Sequence, residues 1–127
     1  MAEHPNVTLI RRTYEGLMQG YYVSALTETL SDDVVWHLPG SHPLAGDHRG
    51  RKAVLEAMAK FDGFVRIELH DVVGNDQHVV ALLRARGSRK GKTYQAMEVD
   101  IFHVRDGRVT EFWSFSEDQR LTDEFWS

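Results

Sequence analysis

The sequence predicts an α+β fold, with helices laid on one face of a curved, mostly antiparallel sheet. Three observations predict it. Through the first third of the chain apolar residues recur at spacings of three and four, as on an amphipathic helix. From Phe64 onward they alternate, the period of a strand with one buried face. Short turn signals, Asn75-Asp76 and Asp106-Gly107 among them, then cut the alternating part into a meander. Helices first and strands second is an α+β order rather than an alternating α/β one.

Asn6 or Thr8 can cap a first helix that carries Val7, Ile10, Tyr14, Leu17 and Met18 on one stripe, and Gly20 ends it. A second short helix places Val23, Leu26 and Leu30 on one face and ends at Ser31-Asp32-Asp33. Val34 to Leu38 is a short strand stopped by Pro39-Gly40, followed by the loop "PGSHPLAGDHRG". Gly50 to Phe61 is a third helix with Val54, Leu55, Met58 and Phe61 inward. Strands follow at Val65 to Val73 and His78 to Arg86, and "GSRKGK" is a solvated hairpin turn. Two long strands, Thr93 to Arg105 and Arg108 to Glu117, are joined by Asp106-Gly107. The tail "DQRLTDEFW" packs back as a short helix.

Composition bounds the function. The chain has 127 residues, enough for one domain spanning 1–127 and one core. A net charge of −4 gives no basic footprint for nucleic acid or anionic membrane. No apolar run approaches the ~20 residues of a membrane helix, and no apolar leader follows a basic start, so the expectation is a cytoplasmic protein. The absence of cysteine excludes disulfides and thiolate chemistry. No nucleotide-binding motif is present and no cofactor is expected. His42, His48 and Asp47 match no metal-ligand spacing, so no metal site is expected either.

The sharpest feature is "EVDIFHV", residues 98–104. Glu98, Asp100 and Phe102 share one face of their strand, and Val99, Ile101 and His103 share the other. Alternation alone favours Val99 and Ile101 as the inner residues, since acids are rarely buried unpaired, and only the resemblance described below turns Asp100 inward. Buried, Asp100 would have its pKa raised by desolvation and further by Glu98. Such a neutral acid can donate a hydrogen bond to a developing enolate, for which ketosteroid isomerase is the known example. Trp36 and Leu38 face inward, either as a ligand wall or as core. By parity Phe112, Ser114 and Ser116 line the same concave side. Neither serine lies in the elbow motif of an activated nucleophile, so both read as hydrogen-bonding groups.

A helical hairpin, then "DDVVWHLPG", a loop closing on "GDHRGR", a third helix and a meander containing "DGRVTEFW" together resemble the nuclear transport factor two-like superfamily. Within it the chain is most similar to the SnoaL-like polyketide cyclase and ketosteroid isomerase branch. The resemblance implies a cone-shaped sheet that encloses one apolar pocket with the helices. Counted back from Gly107, Asp100 falls at the oxyanion-hole aspartic acid of the isomerases. Tyr14, eighteen residues before Asp32, falls at their oxyanion-hole tyrosine. Their general-base position is occupied by Leu38, and the base position of the SnoaL-type cyclases by Ser114.

The resemblance therefore implies Asp100 and Tyr14 as catalytic hydrogen-bond donors, with a third catalytic group still to be found. The loop histidines His42 and His48 sit at the expected pocket mouth, and His42 is the first candidate for proton transfer, with Glu98 beside it. Trp36, Leu38, His48, Met58, Glu98, Phe102, Phe112, Ser114 and Ser116 are the expected substrate-binding residues. The expected partner is a small apolar, cyclic carbonyl compound, processed by an isomerase, cyclase or lyase through an enol or enolate. Two other readings stay open: a non-catalytic binding or dimerisation module, and an epoxide hydrolase, although the Asp-Arg-Asp arrangement of that branch is not visible. Val99, Ile101, His103, Trp113 and Phe115 form a convex apolar stripe expected to be a homodimer interface.

Overall fold

In the computed structural model, which describes residues 2–127, six strands form one sheet in the order β2-β1-β6-β5-β4-β3. In chain order the elements are α1 (Pro5–Met18), α2 (Tyr22–Thr29), β1 (Leu30–Leu38), β2 (Gly46–Arg49), α3 (Arg51–Ala59) and β3 (Val65–Gly74), then β4 (His78–Arg89), β5 (Lys92–Arg105), β6 (Arg108–Ser116) and α4 (Gln119–Trp126). Only β1 and β6 pair in parallel; every other ladder is antiparallel. Irregular register within the β1–β6, β3–β4 and β5–β6 ladders adds local twist, which helps a six-stranded sheet curl around its contents.

The hairpins follow local chemistry. Asp106 and Gly107 have φ of 51° and 74°, and Lys90 and Gly91 have 51° and 77°, the double positive φ of a tight two-residue turn. The β4–β5 hairpin is thus tighter than the "GSRKGK" loop expected from sequence, because the strands continue pairing out to Arg89 and Lys92. Helix α1 is capped by His4, whose ring nitrogen accepts from Asn6 N–H, with Pro5 in the first turn.

Three further sequence expectations change. The first strand starts at Leu30 rather than Val34, because Leu30 pairs with Val109 of β6. The loop after Pro39 contains strand β2, whose residues "GDHR" carry no apolar alternation and are strand only through backbone pairing with β1. Val23 is not inward but 53 % exposed, since α2 is short and buries only Leu26 and Thr29.

The main core lies between α1, α2, α3 and the concave sheet, with Ile10, Val34, Val54, Val79 and Val109 sealed. A second cluster under α4 joins Phe125 and Trp126 to Ala85, Tyr94 and Ala96. α4 therefore closes one end of the cone. No helix among the described residues is long and apolar enough to cross a membrane.

Candidate active site

The concave face of β5 presents Tyr94, Ala96, Glu98, Asp100, Phe102 and Val104. The alternation that left two registers open is resolved by the neighbours. The matching inward residues of β4 are Val79, Ala81, Leu83 and Ala85, all sealed in the core. Glu98 and Asp100 thus face the interior, where the sheet, α1 and α4 enclose a cavity of about 280 Å³.

Space for Asp100 comes from small cross-strand partners. Asp100 lies between Ala81 and Ser114, and Glu98 between Leu83 and Ser116. The Tyr14 hydroxyl, carried across the cavity by α1, donates to Asp100 Oδ2 in a short hydrogen bond. Trp36 Nε1 donates to Ser114 Oγ at 2.9 Å. With its lone pair so used, the serine can turn its own hydrogen toward Asp100. Burial pushes the Asp100 carboxyl up, while hydrogen bonds from Tyr14 and Ser114 pull against that rise. The Tyr14 phenol is pushed well above its ordinary range by burial, then by the charge of Asp100. Burial thus shifts each group toward its protonated form, the form that can donate to an anionic oxygen.

Two residues along the strand stands a second polar group. Tyr94, lying along the strand over the small Ala96, donates to Glu98 Oε2 at 2.7 Å and stays within hydrogen-bond distance of Ser116 (2.9 Å) and Thr122 of α4 (3.0 Å). Burial, followed by the charge of Asp100, pushes Glu98 up to about 7 despite the tyrosine hydrogen bond that lowers it. Tyr94 itself rises to about 12, chiefly by burial and the nearby Glu98 charge. A carboxyl poised at neutrality inside a cavity is suited to taking and returning a proton.

The walls are aromatic. Trp36, Phe112 and Phe102 lie side by side across β1, β6 and β5, with ring centroids 5.5 and 5.4 Å apart and planes tilted by 10° and 18°. Leu38, Met58, Phe61 and Leu17 add aliphatic and edge contacts. His42 also lines the cavity, whereas His48 does not: its ring packs against Trp36 at 5.3 Å and hydrogen-bonds the Leu44 carbonyl. His48 flanks the wall, because β2 pairs it with Trp36 on the same face of the sheet but outside the cavity.

The other residues anticipated for the site, Tyr14, Trp36, Leu38, His42, Met58, Glu98, Asp100, Phe102, Phe112, Ser114 and Ser116, all line this one cavity. Tyr94 and Thr122 were not anticipated. Tyr94 shares strand parity with Glu98 and Asp100, and that was a usable signal; Thr122 reaches the site only through the docking of α4. On the convex side Val99, Ile101, His103 and Trp113 are half-buried and Phe115 is 43 % exposed, although Phe115 also reaches the cavity rim. A belt of charge edges this stripe: His37 stacks on Trp113 and hydrogen-bonds Asp47 and Glu111. No group of three or more metal-ligating side chains occurs among the described residues.

The helices and the curved sheet thus enclose one cavity in which Glu98 and Asp100 are each met by a tyrosine hydroxyl. The profile of the SnoaL-like domain matches residues 10–112, and the chain belongs to that family. An uncharacterised protein of Mycobacterium bovis is 34 % identical over 132 residues, covering the full length of both chains. Among solved structures, Bal32a from a soil-derived mobile gene cassette is 29 % identical with a TM-score of 0.91, over 97 % of each chain. A protein of unknown function with a cystatin-like fold from Xanthomonas campestris is 28 % identical with a TM-score of 0.89, over 96 % of this chain and 98 % of its own.

Proposed function

We propose that the chain is an isomerase, cyclase or dehydratase that acts on an apolar, cyclic carbonyl compound through an enol or enolate. One observation carries this reading: Asp100 and Glu98, each raised by burial and each hydrogen-bonded by a tyrosine hydroxyl, face one largely apolar cavity. Asp100, protonated, and Tyr14, whose hydroxyl turns from Asp100 Oδ2 to the ligand, both donate to the substrate oxygen. Negative charge developing there raises Asp100 further, so its carboxyl is neutral when donation is needed.

Glu98 carries the proton. As the carboxylate it removes hydrogen from the carbon next to the carbonyl, becoming the neutral acid while the electron pair moves to the oxygen. It then returns that proton to another carbon, or to a departing hydroxyl. Roughly 7 Å separates the two acids along the strand, two residues at ~3.3 Å each, enough to address different atoms of one substrate. This role falls to Glu98 rather than His42, whose Nδ1 already accepts from Leu44 N–H at 3.2 Å. The chemistry requires no organic cofactor.

The test is deuterium exchange at carbon. Incubated in D2O with 2-tetralone and a panel of similar apolar ketones, the protein is expected to accelerate loss of the proton beside the carbonyl, followed by NMR. Glu98→Gln should remove the acceleration, with the wild-type rate rising through pH 7 as Glu98 ionises. Tight ligand binding with no exchange on any ketone would instead identify a non-catalytic binding module.

We further propose a homodimer joined through the convex face. Half-exposed Val99, Ile101 and Trp113 form an apolar centre, and the His37, Asp47 and Glu111 cluster forms a polar rim, the anatomy of an interface. Trp113→Glu, which places a charge at that centre, is expected to sediment as a monomer where the wild type sediments as a dimer. A monomeric wild type would refute the assignment.

A further inference from the structure

Tyr94 precedes Glu98 by four residues on β5 and is 3 % exposed, its ring packed in the cluster under α4 and 5.3 Å from that of Phe125. A phenol at that depth needs its hydroxyl satisfied. Three oxygens surround it: Glu98 Oε2 at 2.7 Å, Ser116 Oγ at 2.9 Å and Thr122 Oγ1 at 3.0 Å. Counting hydrogens assigns the directions. The Thr122 hydroxyl donates to the Asp118 carbonyl, four residues back, at 3.0 Å. The Ser116 hydroxyl can donate to that carbonyl at 3.4 Å or to Tyr94 at 2.9 Å, and the shorter contact is the better bond. The Tyr94 hydrogen then goes to Glu98, which as a carboxylate can only accept. A chain of hydroxyls thus runs from Ser116 through Tyr94 to one oxygen of the acid.

The other oxygen is left free. Glu98 Oε1 has no hydrogen-bond partner among the described residues, and it is not sealed, since the buried unpartnered side-chain atom among them is His42 Nε2. Glu98 lines the cavity, so its free oxygen is the one open to a ligand. The last torsion of a glutamate is soft and roughly two-fold, and turning about it exchanges the two oxygens. Tyr94 opposes that turn, because its ring is locked in the core and its hydroxyl is fixed by Ser116. A tyrosine serving the core alone could donate to Thr122 instead; here its shortest contact is with the acid.

We infer that Tyr94 is the positioning residue of the base: it holds Glu98 Oε2 and leaves Oε1 as the working oxygen. In the transfer the C–H bond beside the substrate carbonyl breaks, Oε1–H forms, and the electron pair moves to the carbonyl oxygen. Oε2 of the neutral acid still accepts from Tyr94, so the contact survives both protonation states. The other titratable groups lining the cavity are Tyr14, Tyr22, His42, Asp62 and Asp100. Across the sheet Glu98 meets Leu83 and Ser116, and α4 brings Gln119, Thr122 and Trp126 to the cavity, none of them charged. This inference rests on the proposed role of Glu98 as the base.

The test is Tyr94→Phe, which deletes the hydroxyl and keeps the ring. Carboxyl-carbon NMR on protein labelled at glutamate, with Glu98→Gln to assign the signal, follows the ionisation of Glu98 directly. Loss of a hydrogen bond to a charged group should raise its midpoint by about one pH unit from the wild-type value of about 7. Exchange of 2-tetralone in D2O then separates positioning from a mere change of acidity. Well above both midpoints Glu98 is ionised in both proteins. The variant should still exchange about 10- to 100-fold more slowly there, because its base is free to turn away.

A midpoint that does not rise, or a variant rate that recovers to the wild-type rate at high pH, overturns this inference while Glu98 remains the base. A wild type that exchanges no ketone removes the base itself, and the inference falls together with the proposed function.

Discussion

Asp100→Leu is expected to reduce enolisation catalysed by this protein by about 100- to 1000-fold, the usual consequence of removing one oxyanion-hole donor, ~3 to 4 kcal/mol. The magnitude follows from position. Asp100 sits in the cavity wall with its charged form disfavoured by burial, and Tyr14 and Ser114 orient it. A hydrogen bond there acts in an environment far less screening than water. The same substitution should abolish the phenolate-like fluorescence of bound 2-naphthol across pH, since the anionic form is the one Tyr14 and Asp100 stabilise. Tyr14→Phe should produce a smaller loss, because Asp100 still donates. Equal binding by wild type and Asp100→Leu would show that the ligand oxygen is held elsewhere.

The second large effect concerns stability. Glu98 rises from its ordinary 4.5 to about 7 in the folded protein. The folded state thus keeps a proton that the unfolded chain releases, and stability is lost as pH rises from about 4.5 through about 7. At ~1.4 kcal/mol per pH unit over that window, Glu98 costs the wild type ~3 kcal/mol by pH 8. Glu98→Gln has nothing to ionise, and its amide oxygen can still accept from Tyr94. The variant should match the wild type near pH 4.5 and exceed it by up to ~3 kcal/mol at pH 8, measured by urea unfolding. A constant difference across pH would mean that Glu98 titrates normally and is not the poised base. A variant that is more stable yet inactive would mark Glu98 as retained for chemistry at the expense of stability.

Much of this molecule was legible before its structure. The meander follows from alternation and from Asp106-Gly107, whose positive φ values a tight hairpin demands. The pairing of Glu98 with Asp100 on one face is a consequence of strand period alone. Parity likewise put Ser114 and Ser116 together, and the same rule applied two steps earlier would have reached Tyr94.

Other parts were decided by contacts between distant segments. Strand β2 has a polar sequence and exists because β1 offers an unpaired edge. Val23 is exposed although its helical spacing suggested otherwise, since no element covers that side of α2. The tautomer of His42 depends on the loop geometry that brings Leu44 N–H to Nδ1, and Thr122 joins Glu98 and Tyr94 only because α4 folds back across the cone.

The sequence by itself determined the period, the turns and the residues that share a face, because these depend on backbone stereochemistry over a few residues. Which face turned inward was decided by the tertiary structure. Val79, Ala81, Leu83 and Ala85 of β4 have to be buried, and the ladder register then carries Glu98 and Asp100 inside with them. The acids are tolerated there because Ala81 and Ser114 leave room for Asp100, and because tyrosine and serine hydroxyls meet their oxygens. Burial in that setting, and not the identity of the side chains, raises their affinity for protons.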